Sequence, residues 1–157
     1  MIGVFTIIIV FLVAIDQITK YLARIYLKPL GTIPCIPDIF HLTFVENRGA
    51  AFGILQNKTW FFIIITILIL IGMIYYYNML PSTPKYKWIR ISFILIIAGA
   101  IGNLIDRIKQ GYVIDFFDFR LIQFPVFNVA DCYVVVGTFL LAYLLLFVIE
   151  EIPMEKE

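Results

Sequence analysis

Residues 99–131, GAIGNLIDRIKQGYVIDFFDFRLIQFPVFNVAD, begin inside one apolar run and end at the threshold of the next. Between those ends lie Asn103, Asp106, Arg107, Asp115, Asp118, Asn128 and Asp131. Ionisable groups beside runs long enough to span a bilayer are costly, because hydrocarbon solvates no charge, and they are retained where they act. The rest of the chain reads as the frame that holds this segment.

That frame is a membrane protein. The chain has 157 residues, 62% of them hydrophobic, and only 15% charged, where a soluble domain carries roughly 25%. Mean hydropathy is +1.00. Uncharged stretches cover 1–15, 59–84, 91–105 and 132–149. A spanning helix needs about 20 mostly apolar residues, so the second and fourth stretches suffice. The first and third must draw in their flanking polar residues to cross. The sequence thus predicts an all-α integral membrane protein of one domain, 1–157, with spans near 2–23, 59–78, 88–107 and 131–150. The apolar N-terminal run lacks a basic leader and a small-residue cleavage site, which predicts a retained span rather than a removed signal.

Four antiparallel spans put both chain ends on one side. The polar end of span one, the 23–58 connection, the polar end of span three and the 109–130 connection then share the other side. In the first connection, Phe40 to Val45 alternates with β-branched and aromatic residues and predicts a strand. Asn47-Arg48-Gly49 reads as a turn, and Ala50-Ala51-Phe52 opens a short amphipathic helix. Residues 113–120 form a second strand candidate, with Pro125 forcing a reversal before span four. Two such strands would make a small platform at the membrane surface, and 78–87 is a plain loop. Trp60, Tyr75, Tyr76, Tyr77, Tyr86 and Trp88 lie near span ends, as an interfacial belt does.

A net charge of +1 implies no nucleic-acid partner. Cys35 and Cys132 have no metal or redox spacing, which leaves a disulfide open. His41, the single histidine, has no partner at ligand spacing, so neither a metal nor a cofactor is expected.

The chemistry centres on Asp115 and Asp131, sixteen residues apart. Two carboxylates a few ångströms apart resist joint ionisation and share a proton, so one can activate water while the other protonates a leaving amine. That is acid–base hydrolysis without a covalent intermediate. A structural explanation stands beside it: Asn128 fits a helix N-cap and Asp131 the third helical position, where a carboxylate satisfies free N–H groups. Both readings stay open for Asp131. Asp115, flanked by Ile114, Phe116 and Phe117, reads as functional, with the helix dipole at Asp131 leaving the shared proton on Asp115. Asp118 reads as solvated or paired with Arg120.

Asn103 and Arg107 lie one turn apart with Gly99 on one face of span three, and Arg107 can hold a lipid phosphate or a carbonyl. Asp106 reads as an ordinary helix-end charge paired with Arg107 or Lys109. Ala98 and Gly102 suit helix packing. Asp16 and Lys20, at i,i+4 with the acid first, either fix span one against span three or bind a head group. Asn47 either donates its amide to a substrate backbone or serves the turn.

Taken in order, Asp16-Gln17-Ile18-Thr19-Lys20, Glu46-Asn47-Arg48-Gly49-Ala50-Ala51-Phe52, Gly102-Asn103-Leu104-Ile105-Asp106-Arg107, Gly111-Tyr112-Val113-Ile114-Asp115-Phe116 and Phe127-Asn128-Val129-Ala130-Asp131 resemble the motif set of the lipoprotein signal peptidases (signal peptidase II). The resemblance covers essentially the whole chain. It implies an aspartyl endopeptidase of the bacterial cytoplasmic membrane that cuts prolipoproteins before a diacylglyceryl-modified cysteine and is inhibited by globomycin-type cyclic peptides. Asp115 and Asp131 match the catalytic pair. Asn47, Asn103, Arg107, Asn128, Asp16 and Lys20 match positions expected to bind substrate around it. The implied partners are lipid-modified prolipoproteins and membrane lipids, with a monomeric enzyme. The chain departs from the pattern in a shorter 115–131 connection with no glycine between Gly111 and Gly137.

Orientation is where charge and resemblance disagree. Lys85, Lys87, Arg90 and Lys156 fall on one side and the other eight Lys and Arg on the opposite one. The positive-inside rule then puts the platform in the cytoplasm, whereas the resemblance implies an extracytoplasmic site with cytoplasmic termini. Two rival classes fit part of the pattern. A small proton- or ion-coupled transporter would also use carboxylates among short spans, but this chain has no inverted repeat. A non-enzymatic lipid-binding protein would tolerate loss of either aspartate.

Overall fold

The computed structural model describes residues 2–49, 56–81 and 83–148. Among the described residues, four helices are long and apolar enough to cross a membrane: α1 (Ile2–Leu22), α2 (Thr59–Met79), α3 (Lys87–Gln110) and α4 (Val129–Phe147). The 21 residues of α2 rise about 30 Å at about 1.5 Å each, the thickness of a bilayer's hydrocarbon core. A π-helical turn, Ala23–Leu27, extends α1. The first and third spans do absorb their polar ends: Asp16 and Lys20 lie in α1, and α3 runs past Arg107 to Gln110.

α3 is the axis of the bundle, packing against α1, α2 and α4. Its most apolar stretch is 44% buried, against 11–17% in the other three, whose outer faces are left for lipid. One cluster takes Ile9 from α1, Leu70 from α2, Ile97 and Ala98 from α3 and Leu144 from α4. Lipid tails are as apolar as these side chains, so helices associate in a membrane by close packing rather than by escape from water. Gly99 and Gly137 permit it. A Cβ at Gly99 would collide with the Ala130 carbonyl, and one at Gly137 would sit 2.9 Å from the Ser92 carbonyl. The close α3–α4 approach brings Asn103 to the first turn of α4.

The platform has three antiparallel strands, β1 (Thr32–Ile36), β2 (Phe40–Asn47) and β3 (Val113–Phe119), in the order β1-β2-β3. β2 and β3 are the two expected strands, with β2 running on to Asn47. β1 is a third strand without a sequence signature: Pro34 within it and Pro37 after it mask the strand pattern, and proline is tolerated because this is an edge. The sheet rests on the membrane end of the bundle through Ala23, Leu27, Ile114 and Phe116. After Gln123, in the left-handed region with φ 48°, the chain turns back so that Phe127 pairs with Phe117. That return delivers Asn128 and α4 beside β3. Cys35 and Cys132 are free thiols. The amphipathic helix expected from Ala50 onward lies outside the described residues.

Candidate active site

Asp115 sits mid-strand in β3 and is 2% exposed. Its backbone partner across the sheet is Val45, which makes Asn47 the diagonal neighbour, within reach of a side chain on the same face. Asn47 Nδ2 donates to Asp115 Oδ2 at 2.9 Å, and its Oδ1 accepts the Gly49 N–H at 3.0 Å. The turn role of Asn47 holds, and its amide is given to Asp115. Asn128 Nδ2 donates to Asp115 Oδ1 at 2.6 Å.

Asp131 opens α4. The Asn128 side chain accepts the Asp131 N–H at 3.0 Å while Asp131 Oδ2 accepts the Asn128 N–H at 3.1 Å, a complete capping box. Asp131 Oδ1 accepts from Asn103 Nδ2 at 2.7 Å. Asn128 is thus shared: its side-chain amide nitrogen serves Asp115, and its backbone N–H and side-chain amide oxygen serve Asp131. One fully buried residue ties the two acids together, so the capping and the paired-acid readings of Asp131 are compatible. Each of the four carboxyl oxygens takes a neutral N–H.

A second polar cluster lies behind the first. Lys20, 2% exposed, places its ammonium 2.9 Å from Asp16 Oδ2, 3.2 Å from Asp106 Oδ2 and 2.9 Å from Asn103 Oδ1. Asp16 Oδ1 also accepts the Ala130 N–H at 3.0 Å, pinning the start of α4 to α1. Asp106 corrects the sequence reading. It pairs with Lys20 rather than with Arg107 or Lys109, is 4% exposed, and accepts the Ile114 N–H at 3.1 Å, where β3 begins. Gln17, which the sequence reading passed over, donates to Asp106 Oδ1 at 3.0 Å and to the Gly102 carbonyl at 3.2 Å. Gly102 gives the Asp16 carboxylate room against α3, since a Cβ there would lie 2.5 Å from Asp16 Oδ2.

A cavity of about 630 Å³ opens on the first cluster. Asn47, Asn103, Arg107, Asp115 and Asp131 supply its polar lining; Val113, Phe124, Pro125, Phe127, Val135 and Val136 supply apolar wall. Arg107 donates to the Gly49 carbonyl at 3.4 Å and lies 5.0 Å from the centre of the Phe62 ring. Lys20, Asp16 and Asp106 do not line the cavity. Burial pushes the Asp115 carboxyl up to about 7, and the Asp131 charge adds to this against the Asn47 and Asn128 amides. An acid that titrates near neutrality beside a second carboxyl can give and take protons at physiological pH.

Asp118 and His41, to which the sequence assigns no role in the site, lie elsewhere. Asp118 binds Arg120 at 3.0 Å and Thr43 at 2.6 Å, as a paired surface acid. His41 is buried opposite Asp118 in the sheet, away from the cavity.

Three comparisons bear on this geometry. The family described as signal peptidase (SPase) II matches residues 8–147. The lipoprotein signal peptidase of Caldanaerobacter subterraneus subsp. tengcongensis is 54% identical over 142 residues, covering 90% of this chain and 94% of that protein. The lipoprotein signal peptidase of Clostridioides difficile is 49% identical over 144 residues, covering 91% and 95%. A bacterial membrane enzyme solved by the in meso method at 2.3 Å superposes with a TM-score of 0.83 at 37% identity, covering 100% of this chain and 95% of that one.

Proposed function

The chain belongs to the signal peptidase (SPase) II family, and from that membership we propose an intramembrane aspartyl endopeptidase that removes signal peptides from prolipoproteins. It cuts before a cysteine carrying a diacylglyceryl group. The observation that carries this reading is the pair Asp115 and Asp131, joined through Asn128 and facing one apolar-walled cavity.

The chemistry follows from the protonation of the pair. Asp115 enters with the proton and Asp131 without it. Asp131 takes a proton from a water molecule as the water oxygen bonds to the scissile carbonyl carbon. Asp115 gives its proton to the amide nitrogen as the carbon–nitrogen bond breaks, and the proton held by Asp131 restores the pair. Asn47, Asn103 and Asn128 hold the two carboxyls in register, and Arg107 offers a guanidinium to a carbonyl or lipid phosphate at the cavity mouth. The rate gain rests on positioning and acid–base transfer.

The location suits such a substrate. A diacylglyceryl-anchored chain stays in the bilayer, so its scissile bond must be met at the lipid boundary, where the bundle end joins the sheet. On this reading the protein spans the bacterial cytoplasmic membrane with the site near the extracytoplasmic face and both termini cytoplasmic. The 1–157 chain acts as one domain and as a monomer, since a single copy supplies every group of the site. Purified full-length protein in detergent should cleave a synthetic diacylglyceryl prolipopeptide. Asp115→Asn and Asp131→Asn should each lose at least about 10³-fold in kcat, in line with removal of one member of a catalytic unit. Near-parental cleavage by either variant would refute the pair.

A further inference from the structure

We propose that Lys20 is a positioning residue for the Asn103 amide rather than a cation that meets substrate, and that Asp16 and Asp106 exist to hold it there. The inference rests on the peptidase reading above for its consequence in catalysis, but its geometry stands alone. An ammonium has three N–H donors and no acceptor. All three of Lys20 are committed, to Asp16 Oδ2, Asp106 Oδ2 and Asn103 Oδ1. With the side chain 2% exposed and outside the cavity lining, no donor is left for a peptide or a head group.

What Lys20 does instead is settle the direction of an amide. The two ends of an asparagine amide are nearly the same shape and opposite in hydrogen-bonding sense. Only the oxygen end of Asn103 can face an ammonium, and Asn128 Nδ2 reinforces this at 3.2 Å. The nitrogen end must then point at Asp131 Oδ1, 2.7 Å away. Turned over, Asn103 would set its carbonyl oxygen against the carboxylate and lose the donor that holds Asp131 in place. The ion network behind the site thereby reaches the reacting acid through one side chain, without touching substrate.

A double-mutant cycle tests this, using full-length protein in detergent, a diacylglyceryl prolipopeptide, and the variants Lys20→Met, Asn103→Leu and both together. Lys20→Met should lower kcat about 10–100-fold with KM within about twofold, the size of a small misplacement at the reacting centre. In the Asn103→Leu background the same change should cost less than about twofold, because residues acting through one another are not additive. A rise in KM with kcat kept, or multiplicative losses in the double variant, would overturn the proposal. Lys20→Met leaves two buried acids facing each other, so the cycle is repeated with Asp106→Asn added, which removes one acid to match the one base removed. A merely structural lysine would regain kcat along with thermal stability in that background; a positioning lysine would regain stability alone. The Asn103 side-chain amide signal in asparagine-labelled protein should shift in Lys20→Met and stay put in Asp118→Asn, and an unmoved signal in Lys20→Met would overturn the geometry. That readout separates the two ideas: a parent chain unable to cleave the lipopeptide defeats the peptidase reading, while the amide signal still decides what Lys20 does.

Discussion

Two buried acidic pairs lie one side chain apart in this molecule and are neutralised in opposite ways. Asp16 and Asp106 share the Lys20 ammonium. Among the described residues, Asp115 and Asp131 receive neutral donors alone, from Asn47, Asn103 and Asn128. An ammonium holds its partners by opposite charge, whereas amide N–H groups hold a carboxyl in position and bring no charge of their own. In the proposed mechanism the first pair is a fastening and the second a reagent. Asn103 touches both, with its oxygen toward the fastening and its nitrogen toward the reagent.

Removing a member of the fastening should cost most in stability. Asp16→Ala leaves Lys20 short of an acceptor and frees the Ala130 N–H, and breaking a buried ion pair costs about 3–5 kcal/mol. Thermal unfolding in detergent should show this loss, with a smaller one for Asp115→Asn; the reverse order would erase the distinction between the pairs. Gly102→Ala presses a methyl group onto the same Asp16 carboxylate and should cost about 1–3 kcal/mol, as overpacking does. A pH profile sharpens the other side. Asp115 keeps its proton below about 7, so kcat should plateau just below that value, drop again once the base Asp131 is protonated, and fall tenfold per pH unit above it. A rate still climbing at pH 9 would assign the proton donor elsewhere. The smallest effect belongs to Asp118, whose partner Arg120 is 43% exposed. Asp118→Asn should change stability by less than about 1 kcal/mol and leave cleavage intact.

The sequence carries the first pair and the second with unequal clarity. Four spans follow from where charge is absent, and β2 and β3 from alternation of apolar and polar side chains. Asp115 stood out because Ile114 and Phe116 beside it left an acid no easy access to water. Asn128 and Asp131 were legible as a helix start, and the sharing of Asn128 between two acids needed only the reversal at Pro125. Asp106 is not legible, because a charge at a helix end looks the same whether it faces solvent or a lysine on another helix; only the packing of α1 on α3 decides. Gln17 is silent for the same reason, its partners lying 85 and 89 residues away. β1 was hidden by its prolines, which are admissible only because the strand is at an edge.

Infrared difference spectroscopy across pH measures the proton itself. The account predicts a protonated-carboxyl band near pH 6 that vanishes through about 7, is missing from Asp115→Asn, and persists in Asp106→Asn. A band that survives in Asp115→Asn, or that is lost in Asp106→Asn instead, would contradict it by placing the titrating acid in the wrong pair.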